Sequence, residues 1–209
     1  MNVAIVKYNA GNIYSVVNAL RRIGVEPLLT DDPDDLAGAD RVVFPGQGNA
    51  REAMAYLKAR RLDSVVAGLK QPVLGICVGQ QLLCRHSEEG DTDCIGVFDT
   101  DVRRFRPARH EDKVPAMGWN RIGAREQHPS GERGLLDGLG DNPYAYFVHS
   151  FYVPVCPWTI ATTEYIVEYS ACLHKDNFYT CQFHPEKSGK AGEKILRNFL
   201  EINGKDDKL

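Results

Sequence analysis

A chain of 209 residues has the length of one large domain, enough to bury roughly 70% of the surface its unfolded form exposes without a disulfide or metal staple. Hydrophobic residues at 43%, charges at 25% and nine Tyr, eight Phe and two Trp exclude disorder and fibrous repeats. A net charge of −3 and a pI near 6.1 carry no electrostatic footprint for nucleic acid or an anionic membrane, so small molecules and other proteins are the expected partners.

The first half alternates strand and helix patterns. Val3 to Lys7 reads as a strand closed by the loop Asn9-Ala10-Gly11-Asn12, and Ile13, Val16, Val17, Leu20 and Ile23 recur at helical spacing until Gly24 stops them. Val25 to Thr30 predicts a second strand, and Asp31-Asp32-Pro33-Asp34-Asp35 a solvated turn. Arg41 to Phe44 predicts a third strand ending in the loop Pro45-Gly46-Gln47-Gly48-Asn49. Helices follow over 50–61 and 62–69, then a fourth strand over 72–77 and a helix over 78–88. This alternation predicts an α/β fold with a parallel sheet covered by helices.

The second half is dominated by short β-like runs: 97–105, 120–122, 144–152, 159–165, 170–174 and 178–183, with turns at Asp176-Asn177 and over 138–143. A last amphipathic helix places Ala191, Ile195, Leu196, Phe199 and Leu200 on one face. No repeat or low-complexity linker divides the chain, so one domain is expected over 1–203 with a polar tail over 204–209. The basic stretch 103–109 is broken by Phe105 and Pro107 and followed by Glu111-Asp112, which reads as a solvated strand and turn.

The longest apolar runs, 3–6 and 73–78, are strand-sized, far below the roughly 20 residues of a membrane span, and the N-terminus has no secretory pattern. Six cysteines lack the Cys-x-x-Cys spacing of zinc and redox motifs. They read as reduced thiols of a cytoplasmic protein, and no metal or other cofactor is expected.

One of the six is different. Gly75-Ile76-Cys77-Val78-Gly79 lies where an apolar strand meets a helix, the pattern of a nucleophile raised on a tight turn. A helix N-terminus favours a thiolate, and the Val78 N–H is placed to donate to an oxyanion. The segment Cys181-Gln182-Phe183-His184-Pro185-Glu186 supplies a base. If extended, it points His184 and Glu186 to one side, and Pro185 stiffens the pair. Nucleophile, base and orienting carboxylate form a Cys–His–Glu relay. In the loop Pro45-Gly46-Gln47-Gly48, paired glycines allow a second backbone oxyanion donor.

These residues resemble a class I (triad-type) glutamine amidotransferase, a three-layer, flavodoxin-like α/β fold whose mostly parallel central sheet carries extra antiparallel strands. The narrower resemblance is to the glutaminase subunits of imidazole glycerol phosphate synthases. It rests on Asn9 to Ile13, Pro45 to Gly48, Gly75 to Leu83, Ser87-Glu88-Glu89, Met117-Gly118-Trp119-Asn120, Tyr146 to Ser150 and Gln182 to Ser188, in order along the chain.

The resemblance implies that Cys77, His184 and Glu186 hydrolyse L-glutamine, with Gly46, Gln47, Gly48 and Val78 at the oxyanion. It implies that Gly48, Gln81, His149, Ser150 and Phe151 surround the substrate's amino-acid end. Asn12, Trp119, Asn120, Tyr146 and Lys187 would face a (β/α)8 cyclase subunit that receives ammonia and makes imidazole glycerol phosphate and aminoimidazole carboxamide ribotide. Gln47, Gln80 and Ala116 depart from the family's usual Val, Met and His. Two other readings stand beside this one: an amidotransferase for a different synthase, such as one of surface-sugar or pyridoxal phosphate synthesis, and a catalytically silent subunit.

Overall fold

A computed structural model describes residues 1–8, 13–125, 134–141 and 143–202. Strand β1 (Val3–Val6) is buried throughout, and α1 (Ile13–Arg22) turns Ile13, Val16, Val17, Ala19 and Leu20 inward. Gly24, at φ +89°, ends the turn that follows, in a backbone region glycine enters without steric cost. After β2 (Leu28–Thr30), the acidic stretch expected as a turn instead begins a short helix, α2 (Pro33–Ala37). Asp32 caps it by accepting from the Asp34 and Asp35 N–H groups, and Pro33 takes a first-turn position that needs no N–H.

Strand β3 (Arg41–Gly46) runs two residues beyond the expected end, because Pro45 and Gly46 stay in register with Ile76 and Cys77. Helices α3 (Ala50–Ala59) and α4 (Leu62–Gly68) lead to β4 (Val73–Cys77). The helix expected over 78–88 is cut short. Helix α5 covers only Val78–Leu82, and β5 (Cys84–Ser87) follows. It pairs with β6 (Thr92–Asp93) and with β7 (Phe98–Arg104), where Cys84 meets Phe98 and Ser87 meets Val102. Tertiary pairing overrides a pattern that is locally helical.

The remaining strands are β8 (Ala116–Arg121), β9 (Gly123–Ala124), β10 (Tyr144–His149), β11 (Phe151–Tyr152), β12 (Thr159–Tyr165), β13 (Val167–Lys175) and β14 (Phe178–Cys181). A 3-10 turn at Pro185–Lys187 and helix α6 (Gly189–Glu201) close the described chain. The run expected over 144–152 is two strands, since β10 pairs with β8 while β11 pairs with β7. The loop Asn9 to Asn12, Asn142 of the expected turn and the tail 204–209 lie outside the described residues.

The main sheet has the order β2-β1-β3-β4-β14-β13-β12-β9. From β2 to β14 its pairings are parallel, and from β14 to β9 they are antiparallel. The junction is β14, which inserts beside β4 with Cys181 opposite Ile76. That insertion brings the segment directly after β14, residues 182–186, to the carboxyl ends of β3 and β4, the edge where open α/β sheets bind ligands. Among the described residues no helix is long and apolar enough to cross a membrane.

Candidate active site

Cys77 ends β4 with φ 54° and ψ −111°, and α5 starts at the next residue. Such a backbone costs a non-glycine residue about 1–3 kcal/mol and persists only where its surroundings enforce it. The enforcing residues are the glycines around it, through close packing. A Cβ on Gly79 would collide with the Phe44 carbonyl, one on Gly46 with the Gly79 nitrogen, and one on Gly75 with the Leu83 side chain. The turn is therefore wedged against the end of β3. Tyr8 Oη steadies that end by donating to the Pro45 carbonyl at 2.6 Å, and Gly48 turns the loop at φ +107°.

A cavity of about 350 Å³ opens beside the turn. Cys77, Val78, Gln47, Gly48, Gln81 and His184 line it together with His149, Ser150 and Phe151. Of the expected oxyanion residues, Gly46 lies just behind the wall, packed on Gly79. Cys77 is the only cysteine among the lining residues. Burial pushes the Cys84 and Cys181 thiols well up, and raises Cys94 to about 12.

His184 Nδ1 lies 2.8 Å from Glu186 Oε1, and both side chains are almost wholly buried. The extended geometry expected for this pair holds only at His184. Pro185–Lys187 forms a 3-10 turn, and that turn brings the carboxylate back under the ring. His184 is also tied through its main chain. His184 N–H donates to the Tyr146 carbonyl at 2.9 Å, while Ser188 Oγ donates to the His184 carbonyl at 2.6 Å and accepts from Tyr146 N–H at 2.9 Å. Ser15 Oγ donates to Glu186 Oε1 at 3.5 Å.

Burial works against a charged imidazole, but the neighbouring Cys77 and Glu186 outweigh it and push His184 up to about 10. His184 Nε2 has no partner in hydrogen-bond geometry, although the electrostatic influence of Cys77 reaches it. The two agree if the sulfur–imidazole approach is close but poorly aligned, as catalytic contacts often are before substrate tightens them.

His149 is held differently. Burial, with the nearby His184 charge, lowers it to about 4, against a raising effect of the Phe151 carbonyl. Nδ1 donates to that carbonyl at 2.7 Å and Nε2 lies 3.1 Å from Tyr169 Oη, so the ring is neutral and fixed in one tautomer. Gln81 Nε2 donates both to the Phe151 carbonyl at 2.9 Å and to Gln182 Oε1 at 3.0 Å.

Glu89, Pro115 and Val148 also line the cavity, and nothing in their local sequence assigned them there. Glu89 accepts from the Ala50 N–H at 2.7 Å, a partner 39 residues away. Of the proposed partner-facing residues, Trp119 is 57% exposed and stands edge-on to Tyr146, and Lys187 is exposed. Asn120 is half-buried and donates to the Glu164 carbonyl at 2.8 Å, while Asn12 lies outside the described residues. Gln80 is fully buried and satisfied by Thr180 Oγ1 and the Ser170 carbonyl. Ala116, also buried, lies opposite His149 across the β8–β10 ribbon. Among the described residues no cluster of three or more His, Cys, Asp or Glu is arranged to hold a metal.

Fold and site together define a class of enzyme: residues 4–202 match the family described as Glutamine amidotransferase class-I. The chain is 58% identical to imidazole glycerol phosphate synthase subunit HisH of Bacteroides thetaiotaomicron, over 97% of this chain and 100% of the relative. It is 44% identical to the HisH subunit of Escherichia coli K12 with the same coverage. A glutamine amidotransferase from Thermotoga maritima shares the fold at 16% identity, with a TM-score of 0.67 over 96% of each chain. The chain belongs to the class-I glutamine amidotransferases and, within them, to the HisH family.

Proposed function

We propose that this protein is the glutaminase subunit of an imidazole glycerol phosphate synthase, acting in histidine biosynthesis through a Cys77–His184–Glu186 triad. The observation that carries the triad is the buried 2.8 Å His184–Glu186 contact on the same cavity as Cys77, at its enforced positive φ. The high identity to HisH subunits favours this pathway over another synthase, and the intact triad argues against a silent subunit.

Cys77 sulfur attacks the glutamine Cδ, and the Val78 N–H with a peptide N–H of the Gly46-Gln47-Gly48 loop stabilises the oxyanion. His184, held protonated by its neighbours, gives its proton to the departing ammonia. Neutral His184 then takes a proton from water as it attacks the thioester, releasing glutamate and the thiolate, with Glu186 fixing the ring throughout. The glutamine amino-acid end lies against Gly48, Gln81, His149, Ser150 and Phe151, and the Glu89 carboxylate is available to its ammonium group. No cofactor takes part.

Ammonia passes to a (β/α)8 cyclase subunit docked on Trp119, Asn120, Tyr146 and Lys187, with Asn12 beside them. The protein works as one domain over 1–203. Its six free thiols fit the reducing cytoplasm. Cys77→Ala or Cys77→Ser is expected to abolish glutaminase activity while keeping partner binding, and an electrophilic glutamine analogue should label Cys77 alone. Labelling at Cys84 or Cys181 overturns the assignment.

A further inference from the structure

Gln182 lies behind the nucleophile, fully buried, and takes no part in the mechanism above. Its backbone N–H donates to the Ala171 carbonyl at 2.8 Å, which fixes its place just past β14. Its side-chain Nε2 lies 3.7 Å from Cys77 Sγ.

The direction of that amide follows from its neighbours. The Phe151 carbonyl can only accept, so Gln81 must turn its NH2 group toward it. The other N–H of the same nitrogen then points to Gln182 Oε1. With its oxygen committed there, Gln182 has only its NH2 to offer the sulfur. The Val148 carbonyl lies 3.9 Å from Sγ. A neutral thiol can donate to that carbonyl, whereas a thiolate is repelled by it and attracted to the Gln182 N–H.

We infer that Gln182 is a positioning residue for the catalytic sulfur. Its amide, locked by Gln81 to the backbone of the glutamine pocket, holds the thiolate in line for attack and supplies a donor that His184 does not replace. This inference rests on Cys77 being the nucleophile. It also gives Gln81 a second task, since filling the pocket and aiming the sulfur then share one hydrogen-bonded chain.

The test uses the complex with the native cyclase partner and two variants, Gln182→Glu and Gln182→Met. Glutamate keeps an acceptor for Gln81 but replaces the N–H donor by an oxygen, and methionine removes both. Both variants are expected to lose about 10- to 100-fold in kcat with KM changed less than about threefold, the worth of one hydrogen bond to a charged group. Alkylation of Cys77 by iodoacetamide at neutral pH should slow by a similar factor.

Only Gln182→Glu should recover toward acid, its kcat relative to wild type rising as the buried carboxyl gains a proton it can donate. Wild-type kcat and alkylation rates in the variants, a loss confined to KM, or an absent acid branch in Gln182→Glu overturns the proposal. If Gln182→Met does not fold, the nearly isosteric glutamate variant decides. Cys77→Ala separates the two readings. Surviving glutaminase activity there sinks the triad itself, whereas an inactive Cys77→Ala beside unaffected Gln182 variants sinks only the role of Gln182.

Discussion

β4 is buried at all five of its positions, whereas β8 and β10 alternate inward and outward residues along the ribbon that carries His149. The first pattern belongs to a parallel strand covered on both faces, the second to an antiparallel ribbon with one face left open. Three of the exposed large hydrophobics, Met117, Trp119 and Tyr144, sit together on the ribbon, while others such as Tyr14, Leu28 and Val167 are scattered singly. The parallel side holds Cys77, the proposed nucleophile, on backbone that cannot move without collisions. The ribbon side supplies a pocket wall, an anchor for the base and an uncovered apolar surface. On the proposed reading, chemistry falls where packing is tightest, and partner recognition where it is left unfinished.

That division can be broken most sharply at the base. His184→Ala should lower kcat by about 10,000-fold in the assembled complex, and Glu186→Gln by one to two orders of magnitude less, because the carboxylate orients the ring without moving the proton itself. Equal losses, measured side by side, would mean that the roles have been misread. On the parallel side, Gly79→Ala should cost about 3 kcal/mol in urea-induced unfolding, since its Cβ meets the rigid Phe44 carbonyl. An unchanged midpoint would show that the turn is not wedged as described.

A smaller effect tests coupling between the two sides. Two glycines around Gln47 let one peptide face the cavity with either its N–H or its C=O, and one such donor is worth roughly 3 kcal/mol, or about two orders of magnitude in rate. Glutaminase kcat should therefore rise by about that factor from the isolated chain to the complex with the partner's ligand bound. An isolated chain already at the full rate removes the switch. The smallest effect belongs to the ribbon alone. Trp119→Ala should weaken partner binding by about 30-fold, the scale of an aromatic hot spot, with the urea midpoint and the isolated chain's activity unmoved.

The same contrast explains what could be read before folding. Continuous apolar runs bounded by glycine and proline marked β1, β3 and β4 within a residue or two, and the Gly-x-Cys-x-Gly pattern marked the turn because the glycines that its packing against β3 requires flank the cysteine itself. The helix expected to continue to Glu88 failed because β5 finds its partner at Phe98 to Val102, a pairing invisible in the helical spacing. Glu89, Val148 and Gln182 escaped assignment for a related reason. Each reaches the site through a contact made across the fold: Glu89 to Ala50, Val148 and Gln182 to Cys77. His184 and Glu186 do lie in contact, but through a 3-10 turn where an extended segment was expected.

The place of β14 between β4 and β13 has a consequence for how the enzyme comes into being. Gln182 and Cys77 are 105 positions apart in the chain, so a ribosome makes the thiol long before the strand that must lie beside it. Until that strand slots in, the sheet has an open edge at β4 and the cysteine has neither base nor amide beside it. Activation is thus built into the order of synthesis. On the proposed triad, the last described strand to emerge completes the sheet, His184 and Glu186 follow directly behind it, and the nascent chain is expected to show no glutaminase activity before the fold has closed.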